Sequence, residues 1–173
     1  VGTYALNDNT TGDNNTAVGR DALDDNTTGT QNVAVGYAGL SANTTGNYNT
    51  SMGTYSGESN TTGSYNSALG RSSLNQNTTG SQNTAIGHQA LYANTTANNN
   101  TAFGARSLYA NTTGGDNVGV GASALGANTT GNNNTAVGYD SLSGTTTGSH
   151  NTAVGAYTLT ANTGAQNTGL GYG

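Results

Sequence analysis

The sequence lacks lysine, cysteine, proline and tryptophan, and charged residues make up only 6% of it. Without cysteine, disulfides, thiolate catalysis and cysteine-ligated metal sites are excluded. The only basic residues, apart from two histidines, are Arg20, Arg71 and Arg106, and the net charge is −5. Such a chain has neither the basic patch that nucleic acid requires nor the polybasic segment that an anionic membrane attracts. We therefore expect no nucleic-acid partner.

Long hydrophobic runs are missing as well. No stretch approaches the roughly 18 apolar residues of a transmembrane helix, so no membrane insertion is expected. The chain begins at Val1 without a signal peptide, and we interpret it as a segment of a longer fibrous protein. Low hydrophobicity can indicate disorder, but here the apolar residues recur at fixed places and the net charge is low.

What the sequence does contain is one repeat of 17 residues. With Asn15 as position one, asparagine returns every 17 residues, except that the last step, to Asn167, is 16 because "ANTG" replaces "ANTTG". Residues 1–14 are a partial repeat in the same phase, so residues 1–173 form a single repeat domain. The other repeats begin at Asn32, Asn49, Asn66, Asn83, Asn100, Asn117, Asn134 and Asn151.

Each position of the repeat has its own composition. Position two is Thr, Val or Ser, position three is small, position five is Gly, and positions twelve to fifteen read Asn-Thr-Thr-Gly with few departures. Two large apolar columns are predicted to form the core. Position four supplies Val18, Val35, Met52, Leu69, Ile86, Phe103, Val120, Val137, Val154 and Leu170. Position nine, where Gly57 is the exception, supplies Leu23, Leu40, Leu74, Leu91, Leu108, Leu125, Leu142 and Leu159.

These columns favour strands over helices. Repeated glycine would cost a helix about 1 kcal/mol each time, whereas β-branched residues at positions two and four are typical of a short strand. "NTTG" fits a type I turn that Asn holds closed by bonding its own backbone two residues on. Each repeat is therefore predicted to contain a strand, a Gly corner, a second short strand around the Leu, and a polar turn.

A repeat of this size cannot bury its apolar residues alone, so copies must stack. The predicted fold class is all-β: a parallel β-solenoid, or β-roll, of about ten rungs that lie about 4.8 Å apart. Asparagines at positions one and twelve are expected to form amide ladders, as in cross-β structures. Because burial in one slender chain falls short of the entropy cost of ordering it, we also expect lateral association.

Small residues at positions three and eight have two interpretations. Either they let the backbone of a second chain approach closely, or they are small because the coil itself is tightly packed.

The segments Asn15–Gly19, Asn83–Gly87, Asn134–Gly138 and Asn151–Gly155 read NTAVG or NTAIG. They resemble the "NSVAIG" core of YadA-like head repeats, which belong to trimeric autotransporter adhesins of bacterial surfaces. Similar NTAVGxxAL arrays occur in phage tail-fibre-like and bacterial surface proteins. The resemblance implies a left-handed β-roll, a homotrimer and an extracellular location on a cell or virion surface. The present repeat is longer than a typical head repeat, with the extra length in the "NTTG" turn.

Candidate catalytic residues are sparse. His88 and His150 lie in turn-like positions several repeats apart. Asp21, Asp24 and Asp25 form one acidic cluster, for which a calcium site and a solvated surface are both open. No position of the repeat is Asp, Glu or His in most rungs, and the GxxxxGK phosphate-binding loop is impossible without lysine. We predict no enzyme, no cofactor and no metal.

The "NTT" of the turn is also an N-glycosylation sequon. A plain turn and a sugar-bearing edge, on Asn or on Thr, both fit it, although sugars on rungs about 4.8 Å apart would be crowded. A water-ordering face of the ice-binding kind fits less well, because the paired Thr residues are adjacent and not alternate. The candidate glycosylation sites are Asn9, Asn26, Asn43, Asn60, Asn77, Asn94, Asn111 and Asn128.

Tyrosine is the remaining surface feature. These residues could stack between chains, on carbohydrate, or on one another as short ladders that stiffen the rod. They recur at position six (Tyr37, Tyr139, Tyr172), position ten (Tyr92, Tyr109) and position seventeen (Tyr48, Tyr65).

Together these features predict a structural component of an extracellular fibre or surface appendage that self-associates as a trimer or a filament. The alternative is an adhesin or tail-fibre shaft that binds a host surface or glycans, which predicts a patch of irregular residues on one face. The most irregular repeat, Asn49–Tyr65, is where a local site or a weak rung is expected.

Overall fold

Each repeat forms one rung of a β-solenoid in the computed structural model, which describes all residues 1–173. Ten three-residue strands pair in sequence order in one parallel sheet, and there is no helix. Each strand residue pairs with the residue at the same repeat position in the next rung, so that Thr84 lies beside Thr101. The predicted fold class is confirmed. The strands are β1 (Thr16–Val18), β2 (Val33–Val35), β3 (Thr50–Met52), β4 (Ser67–Leu69), β5 (Thr84–Ile86), β6 (Thr101–Phe103), β7 (Val118–Val120), β8 (Thr135–Val137), β9 (Thr152–Val154) and β10 (Thr168–Leu170).

The second strand predicted around the Leu is wrong, because each rung has only one strand. The Leu segment instead contains left-handed residues at positions seven and nine, such as Arg106 (φ 56°) and Leu108 (φ 51°). These residues turn the chain and still bond the adjacent rungs: Leu108 N donates to Ala124 O of the next rung, and Arg106 N to His88 O of the preceding one, both at 2.9 Å. A left-handed bulky residue costs roughly 1–2 kcal/mol. Burial of the Leu side chain, worth about 1.5–3 kcal/mol, offsets that cost.

The glycine of position five makes the corner that follows each strand. At Gly87 φ is +131°, and a Cβ there would lie 2.7 Å from the carbonyl carbon of Gly104 in the next rung. Only glycine tolerates both the dihedral angle and the contact. The predicted Gly corner is thus confirmed.

One of the two columns predicted to form the core, position four, was wrong. In each strand the middle residue, at position three, faces inward, and positions two and four face outward, as the two-residue period of a strand requires. Phe103 is 53% exposed and Val18 45%, whereas Leu108 and Leu125 are 0% exposed. The outward residues are Val18, Val35, Met52, Leu69, Ile86, Phe103, Val120, Val137, Val154 and Leu170. The position-nine leucines are confirmed as core, with Leu159 partly buried against it.

The interior of the rod is narrow, and small residues fill it. At position three Ala85, Ala102 and Ala136 are fully buried, and at position eight Ala90 and Ala124 are too. These residues face their own coil. Of the two interpretations of the small columns, tight packing of the coil itself is therefore correct.

The rung Asn49–Tyr65 interrupts the hydrophobic core. Ser51 and Gly57 stand where most other rungs carry Ala and Leu, and the core divides into one cluster on either side. The Ser51 and Ser56 hydroxyl oxygens lie 2.6 Å apart, and Ser51 Oγ also donates to the Ser56 carbonyl at 2.7 Å. This rung, the most irregular in sequence, is thus held by polar contacts in place of apolar burial.

A matched pair of substitutions in one rung tests the assignment of inward and outward residues. Leu108→Ala should lower the free energy of unfolding by about 2–5 kcal/mol, because it empties a fully buried site. Phe103→Ala, in the same rung, should change it by roughly 0.5 kcal/mol or less in dilute, unassociated protein. Urea unfolding followed by circular dichroism measures both, and a larger effect of Phe103→Ala would contradict the burial described above.

Candidate functional site

No enclosed site is present on the rod. Its surface has no pocket, and no three His, Asp or Glu side chains converge on a position that could hold a metal ion. The chain contains no helix long and apolar enough to cross a bilayer. His88 and His150 are both exposed, in separate rungs. The features that can carry function are therefore columns of side chains that run along the rod.

The acidic cluster of the first full rung lies close together, as expected. Partial burial, with the neighbouring carboxylates of Asp25, Asp21 and Asp8, raises the pKa of Asp24 above its usual range. Its Oδ1 atom is buried and has no hydrogen-bond partner. The arrangement disfavours the charged form of Asp24, so it is a local source of instability at neutral pH.

Position-twelve asparagines form a continuous side-chain ladder through the interior, which we call the Asn ladder. Nδ2 of Asn77 donates to Oδ1 of Asn60 in the preceding rung at 2.8 Å and to the Gly80 carbonyl in its own turn at 2.9 Å. Oδ1 of Asn77 accepts in turn from Asn94. The same bonds link Asn9, Asn26, Asn43, Asn60, Asn77, Asn94, Asn111 and Asn128.

Position-one asparagines form a second ladder that joins side chain to backbone. Oδ1 of Asn15 accepts from the Asn32 backbone N–H at 2.9 Å, and Nδ2 of Asn32 donates to the Gly46 carbonyl at 2.8 Å. Asn43 donates to the same carbonyl at 3.1 Å, so two amides close each rung on one acceptor. Both predicted amide ladders are confirmed. The turn is closed by this donation to the carbonyl three residues on, and not by the predicted bond to the backbone two residues on.

The sequon asparagines are the Asn ladder itself. The seven from Asn26 to Asn128 are at most 1% exposed, and Nδ2, the atom that would carry a sugar, has both of its hydrogens engaged. Asn9 is half-buried, and its Nδ2 donates to the Gly12 carbonyl. A glycan on any of the seven is incompatible with the folded rung, so the prediction of glycosylation at these asparagines is not supported by the geometry.

The Asn ladder ends at one departure from the repeat. Position twelve of the next rung is Thr145, whose hydroxyl donates to the Asn162 carbonyl at 2.9 Å. Oδ1 of Asn128 is consequently buried without a partner. The orphaned acceptor marks the only place where a position-twelve threonine interrupts the ladder.

Position-four side chains form a continuous outward column of apolar groups, which we call the apolar strip. It consists of the ten residues from Val18 to Leu170 named above, and those exposed most are Phe103 (53%) and Leu170 (84%). The neighbouring outward column, at position two, is Thr, Val or Ser. Neither column contains a charged residue. The outer face of the sheet is thus uncharged from end to end.

Tyrosines form short stacks at several places on the rod surface. The predicted stacks are present at position ten, where Tyr92 and Tyr109 have centroids 5.3 Å apart, and at position seventeen. Sequence reasoning missed Tyr55 and Tyr157, which lie at position seven and meet position-six tyrosines of the preceding rung, as in Tyr139–Tyr157 at 5.3 Å. The sequence contained the signal for these pairs, because positions six and seven of successive rungs are neighbours in a stacked coil. All three arginines also occupy positions six and seven.

Comparison of the chain with protein-family models, curated proteins and solved structures finds no match. The resemblance to YadA-like head repeats, with the left-handedness and homotrimer that it implies, stays a prediction.

Restoring the ladder residue should stabilise the rod. Thr145→Asn supplies an Nδ2 donor to the orphaned Oδ1 of Asn128, and we expect a gain of about 1–2 kcal/mol in unfolding free energy. Loss of the Thr145 hydroxyl bond to Asn162 limits the gain. Denaturant unfolding measures it, with the exposed Thr147→Asn of the same rung as a control that should change nothing. Equal effects of the two substitutions would contradict the ladder assignment.

Removing the Asp24 charge should stabilise the rod in a pH-dependent way. Because the pKa of Asp24 is raised on folding, the folded chain holds the Asp24 proton more tightly than the unfolded chain does. Ionisation of Asp24 therefore destabilises the fold. This destabilisation is absent below the unfolded pKa and complete above the folded pKa. Asp24→Asn should therefore raise thermal stability at pH 7 and not at about pH 3. The exposed Asp13→Asn serves as the control and should have no effect at either pH. An equal gain from Asp24→Asn at both pH values would exclude the charge as the cause.

Proposed function

We propose that this chain is a structural rod segment of an extracellular fibre or surface appendage, in which copies of the chain associate side by side through the apolar strip. The observation that carries the proposal is the strip itself. Ten large apolar side chains face outward in one line, beside a column of Thr, Val and Ser that carries no charge. The extracellular location follows from the resemblance to surface-protein repeats.

The dimensions of the strip support a protein contact. Ten rungs about 4.8 Å apart extend over about 45 Å, and the two outward columns of the strands lie roughly 7 Å apart. Monomeric proteins rarely expose a contiguous apolar patch larger than a few hundred Å². The flanking corner, with Tyr37, Tyr139 and all three arginines, has the composition that is enriched at protein interfaces.

A second copy of the chain is the partner that fits this face best. The strip repeats once per rung, so a partner needs side chains with the same spacing along its length to match every residue. Another copy provides that spacing by construction, and two uncharged faces meet without leaving a buried charge unpaired.

The interior suits a mechanical role. Both Asn ladders cross-link every rung to the next, and the backbone adds hydrogen bonds between rungs outside the strands as well as within them. Of 110 backbone hydrogen bonds only 18 lie within the strands, so the turns and corners are bonded along the rod too. A rod connected in this way around its whole perimeter resists bending.

A pair of triple variants tests the strip as the contact. Leu69→Lys, Phe103→Lys and Val137→Lys place three charges on the strip in alternate rungs and should abolish self-association, because each would be buried unpaired. Thr79→Lys, Thr113→Lys and Thr147→Lys add the same charge to the same three rungs at the exposed turn and should associate like the unmodified chain. Analytical ultracentrifugation over a concentration series measures both, with circular dichroism as the check on folding.

Two results would overturn the proposal. One is an unmodified chain that stays monomeric across the concentration range. The other is that folded strip and turn variants associate to the same extent, which would place the contact elsewhere on the rod. Filaments or trimers that dissociate only in the strip variant support it.

A further inference from the structure

The exposed threonine of each turn, at position fourteen, has no structural explanation in the rung. Its hydroxyl makes no hydrogen bond in any rung. The hydroxyl of the preceding threonine bonds the next rung in every case except Thr146, as Thr78 Oγ1 does to the Thr95 carbonyl at 3.0 Å. The position-fourteen residues form what we call the Thr column. It consists of Thr11, Thr28, Thr45, Thr62, Thr79, Thr96, Thr113, Thr130 and Thr147, all of them exposed.

The Thr column differs from the other exposed columns in that its residue type never changes. Other exposed columns vary freely: position seventeen carries Asn, Gln, Tyr, Asp and His, and position six carries Arg, Tyr, Thr, His and Ala. Position fourteen is Thr in all nine rungs that have it. A threonine held constant without a contact of its own indicates a role outside the rung, in which the hydroxyl itself is used.

From this pattern we infer that the Thr column is a row of O-linked glycosylation sites. Within each "NTT" the structure leaves one candidate acceptor. Nδ2 of Asn77 is buried and doubly bonded, and Thr78 Oγ1 is engaged, but the hydroxyl of Thr79 is exposed and free. A sugar at Thr79 displaces no bond of the fold, unlike a sugar at either neighbour.

The chemistry is transfer from a nucleoside-diphosphate sugar by a glycosyltransferase. The threonine Oγ1 attacks the anomeric carbon, the bond between that carbon and the phosphate oxygen breaks, and the nucleoside diphosphate leaves. The hydroxyl proton passes to a base of the transferase. Because acceptors in adjacent rungs lie about 4.8 Å apart, the column fits single sugars or short unbranched chains and excludes branched glycans on every rung.

Site mapping on protein purified from its natural source tests this inference. Tandem mass spectrometry with electron-transfer fragmentation should find hexose or N-acetylhexosamine mass increments on position-fourteen threonines, and none on position thirteen or on the Asn ladder. Nine bare threonines, or sugars confined to other residues, would overturn it. The result does not depend on lateral association, which is measured on unmodified recombinant chain.

Variants made in the natural host add a second measurement. Thr79→Val, Thr96→Val and Thr113→Val together should lower the intact mass by up to three sugar increments. The outward strand threonines give the control, since Thr84→Val, Thr101→Val and Thr135→Val should leave the increments unchanged. In unmodified recombinant chain the first triple variant should retain the parent's unfolding midpoint. A clear drop there would show that the hydroxyls stabilise the rung and would remove the reason for the inference.

Discussion

The buried amide of the Asn ladder is the constraint on which the rest of the rod depends. An unpaired buried amide costs roughly 2–7 kcal/mol, so each ladder asparagine must find acceptors for its N–H groups and a donor for its Oδ1. Its own turn offers one carbonyl, and the remaining partners come from asparagines one rung away, as Asn77 finds in Asn60 and Asn94. If one rung shifted against the next by any number of residues other than a whole repeat, these amide groups would be buried without partners. The ladder therefore fixes the register of every strand pair.

The same geometry explains why large apolar residues lie outside. A three-residue strand has one inward position, and a rod closed by two asparagines on a single carbonyl leaves room there only for Ala, Ser or Gly. The Leu side chain fills the remaining interior, at the cost of a left-handed backbone. Position four then faces outward, as the two-residue period of the strand requires.

Much of this was predictable from the repeat and part was not. The period, the parallel stack, the Gly corner and both ladders follow from residue types that have one structural use, such as the Gly87 column and the Asn77 column. The orientation of Phe103 and its column did not follow from the sequence. In a strand such as "TAV" either the middle Ala or the flanking Thr and Val could face inward, and only the width of the closed rung decides between them. The left-handed Leu108 was also beyond prediction, since glycine or asparagine is the usual signal for that conformation.

Departures from the repeat separate the columns that serve the fold from those that do not. Because each rung touches only its neighbours, a defect in one rung stays local. Gly57 breaks the Leu column and Thr145 breaks the Asn ladder, yet both rungs keep an apolar residue at position four and a threonine at position fourteen. The Leu column and the Asn ladder thus each tolerate the loss of a member, whereas the apolar strip and the Thr column lose none. The constancy of these two exposed columns is the observation on which the proposed association and the proposed glycosylation rest.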